Sequence, residues 1–158
     1  MKRPAVMLFA LALLFCSGCG LWGDPANEPL IVVHSGEKDV APYQQFRWSQ
    51  SLSNDGWLSA DGVYLSRELT RKYQELPELT YDDSFDIRCR NAVSVISVSI
   101  YDSEFNSIYS NMPSSIISNL STGTYYLIIT VKEQHNYITA AKDYESTGYD
   151  CGYKLIVP

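Results

Sequence analysis

The clearest pattern along the chain is a two-residue period from Thr124 to Lys132, with Tyr125, Leu127, Ile129 and Val131 on one face and Thr124, Tyr126, Ile128, Thr130 and Lys132 on the other. That period marks a β-strand with a buried face. It returns in Cys151, Tyr153, Leu155 and Val157, and in Phe85, Ile87 and Cys89. Between Ala92 and Tyr101 the apolar positions are Val93 and Val95, then Ile96, Val98 and Ile100. The register slips by one residue there, which predicts a β-bulge. Leu30–Val33 is a short apolar run, Gln45–Leu52 alternates loosely around Phe46, Trp48 and Gln50, and Trp57–Leu65 is broken by Asp61-Gly62, a hairpin-type dipeptide. One stretch departs from the strand period. Leu65, Leu69 and Tyr73 recur every four residues, as do Glu68 and Lys72, so one short helix is predicted near residues 64–76, stopped by Pro77. Turn residues at Asn91, Asn111-Met112-Pro113, Thr122-Gly123 and Gly148 separate the strands at sandwich-like spacing. The pattern therefore predicts a mainly β chain folded as a sandwich.

The sequence Leu120-Ser121-Thr122-Gly123-Thr124-Tyr125, leading into the best strand, resembles the tyrosine corner of immunoglobulin-like and fibronectin type III sandwiches. The resemblance implies that Leu120 plugs the core, Gly123 permits the turn, and the Tyr125 hydroxyl bonds back to the backbone. An ordinary turn before an ordinary strand is the alternative.

A different pattern opens the chain. Lys2 and Arg3 precede an unbroken apolar run from Ala5 to Phe15, followed by Cys16-Ser17-Gly18-Cys19. A basic segment, a short apolar core and small residues before a cleavage point describe an export signal. The run falls short of the roughly 20 residues that a membrane span needs. Ser17, Gly18 and Cys19 resemble the last three places of a lipobox, the site cut by the lipoprotein signal peptidase, although Cys16 stands where leucine is usual. The resemblance implies a signal peptide over 1–18 and a diacylglyceryl thioether on Cys19, two acyl chains being enough for stable anchoring. Residues 19–29, rich in Gly, Pro, Asn and Asp, read as a flexible lipidated tether, and 30–158 as a single β-sandwich domain.

Composition sharpens this picture. Two of the 12 basic residues, Lys2 and Arg3, lie in the leader, so the mature chain with its 18 acidic residues carries a charge of about −8. Such a surface repels phosphate backbones, which argues against nucleic-acid binding, and leaves the lipid as the link to the membrane. The expected place is an exported, membrane-anchored one: the outer face of a cell membrane, or an outer membrane. Beyond the leader and Cys19, two cysteines remain, Cys89 and Cys151. An exported compartment permits them to pair, and the alternative is two buried thiols packing as small hydrophobes.

Candidate chemistry is sparse. His34 and His135 are the only histidines, neither in a metal-ligand motif. Ser35-Gly36-Glu37-Lys38 matches Ser-x-x-Lys but lacks the companion elements of penicillin-recognising enzymes, so it reads as coincidence. Asp82, Asp83 and Asp86, with Asp102 and Glu104, read as solvated acidic loops rather than a calcium site. No metal, cofactor or catalytic residue is expected. Tyr137, Tyr144, Tyr149 and Tyr153 crowd the C-terminal quarter. Exposed, Tyr137, Tyr144 and Tyr149 would form a binding face for a protein or glycan partner in the envelope; the rival reading packs these rings over the sandwich edge.

From Trp57-Leu58-Ser59-Ala60-Asp61-Gly62, through Leu120-Ser121-Thr122-Gly123-Thr124-Tyr125-Tyr126, to Lys154-Leu155-Ile156-Val157, the chain also resembles the extracytoplasmic C-terminal module of Firmicutes membrane metallopeptidase sensors of the β-lactam-regulator type. That resemblance implies a sensory or interaction domain without the peptidase. The expectation is a non-catalytic, membrane-anchored binding, interaction or sensory module. The alternatives are a structural envelope lipoprotein or a small envelope hydrolase.

Overall fold

The alternating residues of the C-terminal third form the two longest strands of the molecule, and the other elements are arranged around them. The computed structural model describes residues 28–53, 56–138 and 143–158, and within these the side chains outside 52–58 and 136–144. The leader, Cys19 and most of the tether lie outside the described residues. In chain order the elements are β1 (Ile31–Ser35), β2 (Lys38–Val40), β3 (Tyr43–Ser53), β4 (Gly56–Asp61), α1 (Leu65–Lys72), a 3-10 turn (Tyr73–Glu75), β5 (Glu78–Thr80), β6 (Asp86–Cys89), β7 (Val93–Tyr101), β8 (Ser107–Met112), a second 3-10 turn (Ser114–Asn119), β9 (Gly123–Ile138) and β10 (Asp143–Val157). They make a mainly β fold of two sheets and one short helix. The small sheet has the order β2-β1-β6; the large one runs β4-β3-β10-β9-β7-β8, with β5 parallel to β10 beside its C-terminal end.

β9 and β10 pair in antiparallel register from Gly123–Val157 to Ile138–Asp143. Their odd-numbered residues, Leu127, Ile129, Val131, Cys151, Tyr153 and Leu155, are wholly buried against Ile31 and Val33 of the small sheet and Val98 and Ile100 of β7. Each large side chain buried there contributes about 1.5–3 kcal/mol. The even-numbered Tyr126 and Ile128 face the other way and close a second core with Leu65, Leu69 and Leu76. Over this half β9 is therefore covered on both faces, by a sheet and by a helix. Eight residues make a helix too short to persist alone. What holds α1 is its stripe of Leu65 and Leu69, and the approach is close because Gly152 lies beneath. A Cβ at Gly152 would come within 2.6 Å of Leu65 Cδ2 and 2.9 Å of Leu76 Cδ2.

The start of α1 is tied down by charge. Tyr64 precedes the helix and offers no side-chain cap. Instead, the buried Asp150 accepts the Leu65 backbone N–H through Oδ2 at 3.0 Å. Its Oδ1 accepts from Arg47 and from the Thr130 hydroxyl, each at 2.9 Å. Arg47 can reach because it sits in a bulge: Phe46 pairs with Tyr149 and Trp48 with Gly148, leaving Arg47 unopposed.

The slip expected near Ile96 is present. Val95 pairs with Val131 and Ser97 with Thr130, and Ile96, with no partner, is 51% exposed. At the turn into β9, the Tyr125 hydroxyl donates to the Ser121 carbonyl at 3.0 Å, Leu120 packs against the intersheet core, and a Cβ at Gly123 would sit 3.3 Å from that hydroxyl. The sheet edge formed by β8 was not expected, since Asn111-Met112-Pro113 read as a turn.

Pairing of Cys89 with Cys151 is corrected: both are free thiols. Cys151 is buried on β10, and burial pushes its thiol upward in pKa. Cys89 is exposed at the end of β6, beside the Val95 backbone of β7. Cys89 lies on the small sheet and Cys151 on the large one, and their sulfurs are not bonded.

Candidate functional site

Past Val131 the hydrophobic alternation stops, yet the strands continue. β9 runs on through Lys132, Glu133, Gln134 and His135, and β10 arrives through Glu145, Ser146 and Thr147, flanked by the second half of β3 and by β4. None of these residues belongs to either apolar core. The seven-stranded sheet thus continues beyond the apolar cores, held by its backbone pairing and by an ion pair between Glu133 and Arg90.

The register puts Ser49, Ser51, Ala60, His135, Glu145 and Thr147 on one face of this projection. They line an open hollow of about 340 Å³. His135 Nε2 lies 2.9 Å from Thr147 Oγ1 and 3.8 Å from Glu133 Oε2, while Glu133 holds Arg90 through its other oxygen. Thr147, His135 and Glu133 thus share an acid-imidazole-hydroxyl composition, but both partners approach the same ring nitrogen. A proton relay needs the nucleophile on one nitrogen and the acid on the other. What the hollow offers is hydrogen bonding: hydroxyls, the edge of an imidazole, and the exposed Glu145 at its rim.

The residues singled out by sequence are distributed rather than gathered. Tyr149 faces the sandwich rim, half-buried, with the Phe46 ring edge-on to it at 6.3 Å between centroids. Burial first, and then the nearby Glu133 charge, raises its pKa. Tyr153 is wholly buried and donates to the Val40 carbonyl. The side chains of Tyr137 and Tyr144 lie outside the described residues, although the backbone places both on the projecting hairpin. His34 bonds to Asp39 across the β1–β2 hairpin, and Ser35 of the Ser-x-x-Lys match donates to the Thr80 carbonyl.

The acidic loops use their carboxylates on themselves. Asp102 accepts from the Glu104 and Asn106 backbones and the Asn106 amide, and Asp82 from Ser84. Hydrogen bonds from Asn106 and from Ser84, respectively, hold these two carboxyls below the usual range. Among the described residues, no group of three or more His, Cys, Asp or Glu is placed to share a metal ion, and no helix is long and apolar enough to cross a membrane.

Sequence reasoning missed the buried Asp150–Arg47–Thr130 group. Asp150, a lone acid just before the alternation of the last strand, carries nothing in the sequence that sets it apart from a solvent-facing residue. Compared with family models, curated proteins and solved structures, the chain matches none of them.

Proposed function

We propose that this protein is a lipid-anchored, extracytoplasmic binding module that takes its partner on the projecting end of the large sheet and performs no catalysis. The observation that carries the reading is the open, hydroxyl-lined hollow at that end, standing clear of both cores. Strands held by their own backbone bonds can leave their side chains to a partner without cost to the core. Hydrogen-bonding groups that are neutral apart from Glu145 at the rim suit an uncharged ligand rich in hydroxyls or amides, such as a glycan or an extended peptide of the envelope. The export-signal pattern and Ser17-Gly18-Cys19 support placing the module beside a bilayer.

Two experiments test this. In the native host, intact mass of the mature chain should begin at Cys19 with added acyl mass, and Cys19→Ala should release the protein from membranes or block its processing. Unprocessed, unacylated protein at the native site would refute the anchor. Separately, the full chain in non-ionic detergent should co-sediment saturably with purified envelope glycan from that host. Thr147→Trp, which fills the hollow, should abolish this without shifting the melting temperature. Absence of co-sedimentation, or equal binding by the variant, would refute the binding face.

A further inference from the structure

We propose a second, chemically different site: the cleft between α1 and the β7–β8 edge binds a small ligand through its carboxylate, with Arg67 as the charged contact. The cleft holds about 220 Å³. At about 30 Å³ for one water in the liquid, that accommodates a compact head group and not a polymer. Ile128 and Thr130 form its floor; Tyr64, Ser66 and Arg67 stand on one side, Ser110 and Asn111 on the other.

The charge in this cleft is unbalanced in a specific way. Its lining has one carboxylate, Asp150, and both oxygens of that group are already engaged by Arg47, Thr130 and the Leu65 N–H. Arg47 and Asp150 cancel each other, and the free N–H at the head of α1 is spent. Arg67 is left over. Its guanidinium lies 5.2 Å from the centre of the Tyr64 ring, the same ring that Arg47 approaches at 4.6 Å, and it makes no ion pair among the described residues. Lys38 and Arg71 likewise make no ion pair among the described residues, but neither lines the cleft. Arg47, Lys72, Arg88, Arg90 and Lys154 all have carboxylate partners.

A guanidinium stacked on an aromatic ring is pre-oriented, and its planar fork matches a carboxylate with two parallel hydrogen bonds. Across the cleft, Asn111 sits in the left-handed region at φ +54° and accepts from Ser97 through Oδ1. Its amide hydrogens thus remain unspent among the described residues. One free cation and neutral donors opposite it balance one negative charge. A doubly charged phosphate would be left half-compensated, so the chemistry favours a monocarboxylate.

The test uses the full chain, nitrogen-15-labelled, in non-ionic detergent at fixed ionic strength, titrated with N-acetylglycinate and with N-acetylglycinamide. The carboxylate should shift the backbone amide signals of Ser66, Arg67, Ser110 and Asn111, and the amide analogue should not. Arg67→Ala should weaken binding by about tenfold or more, as expected for a charge-assisted pair. Arg71→Ala removes the same charge one helical turn away, outside the cleft lining, and should leave binding within about twofold. Absence of localised shifts would overturn the proposal. So would equal binding of the amide analogue, or an Arg71→Ala loss matching that of Arg67→Ala, which would mark diffuse attraction to a basic helix face.

Discussion

β9 and β10 each have two halves that obey different rules. From Tyr125 to Val131, and from Asp150 to Val157, the strands lie between a sheet and a helix, and nearly every side chain is buried. From Lys132 to His135, and from Glu145 to Thr147, the same strands pair just as regularly, but what they carry is polar and belongs to no core. In the first half, side-chain packing and backbone pairing support each other, so a substitution disturbs both. In the second, pairing is supported by few side chains, the buried Ser146 and the Glu133–Arg90 ion pair among them, and the rest are exposed or half-buried. Stability is concentrated in one half and surface chemistry in the other, within a single pair of strands.

The largest effect is expected where the covered half holds its buried charge. Asp150→Ala leaves Arg47, the Thr130 hydroxyl and the Leu65 N–H without their acceptor, and should cost about 3–5 kcal/mol in urea unfolding, as for removing one member of a buried pair. Thr130→Ala strips one donor from the same carboxylate and should cost about 1–3 kcal/mol. A loss below about 1 kcal/mol for Asp150→Ala would mean that α1 is held by its leucines alone. Gly152→Ala tests those leucines directly. The added methyl overlaps Leu65 and Leu76, so α1 must lift from the sheet, at about 1–3 kcal/mol. The near-ultraviolet signal of Tyr126, which packs in that core, should change with it. At the far end of the covered half, Tyr125→Phe deletes only the hydrogen bond to the Ser121 carbonyl and should cost about 0.5–1.5 kcal/mol, with the fold otherwise intact.

How much of this was legible in the sequence follows the same division. The covered half of β9 announces itself because burial writes a period of two into Tyr125, Leu127, Ile129 and Val131. The bulge at Ile96 is legible for the same reason, since a phase slip in an apolar pattern has few other causes. α1 is visible through Leu65 and Leu69. β8 is not: Ile108 and Met112 are exposed, and the strand exists through pairing with β7 rather than through a buried face of its own. The polar run from Lys132 to Asn136 likewise reads as the end of a strand, because pairing with β10 leaves no mark on side-chain identity. Asp150 is the hardest case. In sequence it is one acid on a strand, indistinguishable from a solvent-facing residue. Only the sheet order brings Arg47, 103 residues away, and Thr130, 20 residues away, onto it.

The smallest expected effect is therefore the sharpest test of the division. Gln134 lies four residues beyond Thr130 on the same strand, and the register turns it to the same face, opposite Ser146. Thr130 is 4% exposed and bonded to a buried carboxylate; Gln134 is exposed, and its backbone N–H, not its side chain, bonds to the Ala92 carbonyl. Gln134→Ala keeps that backbone bond and every strand pairing, so urea unfolding should change by less than about 0.5 kcal/mol, the range of surface substitutions remote from any core. The contrast with Thr130→Ala isolates side-chain environment, because strand, face and pairing partner β10 are held constant. A loss of more than about 1 kcal/mol at Gln134 would show that the projecting half is packed after all. The hollow on its opposite face would then belong to the folding unit, and a partner binding there could not be separated from stability.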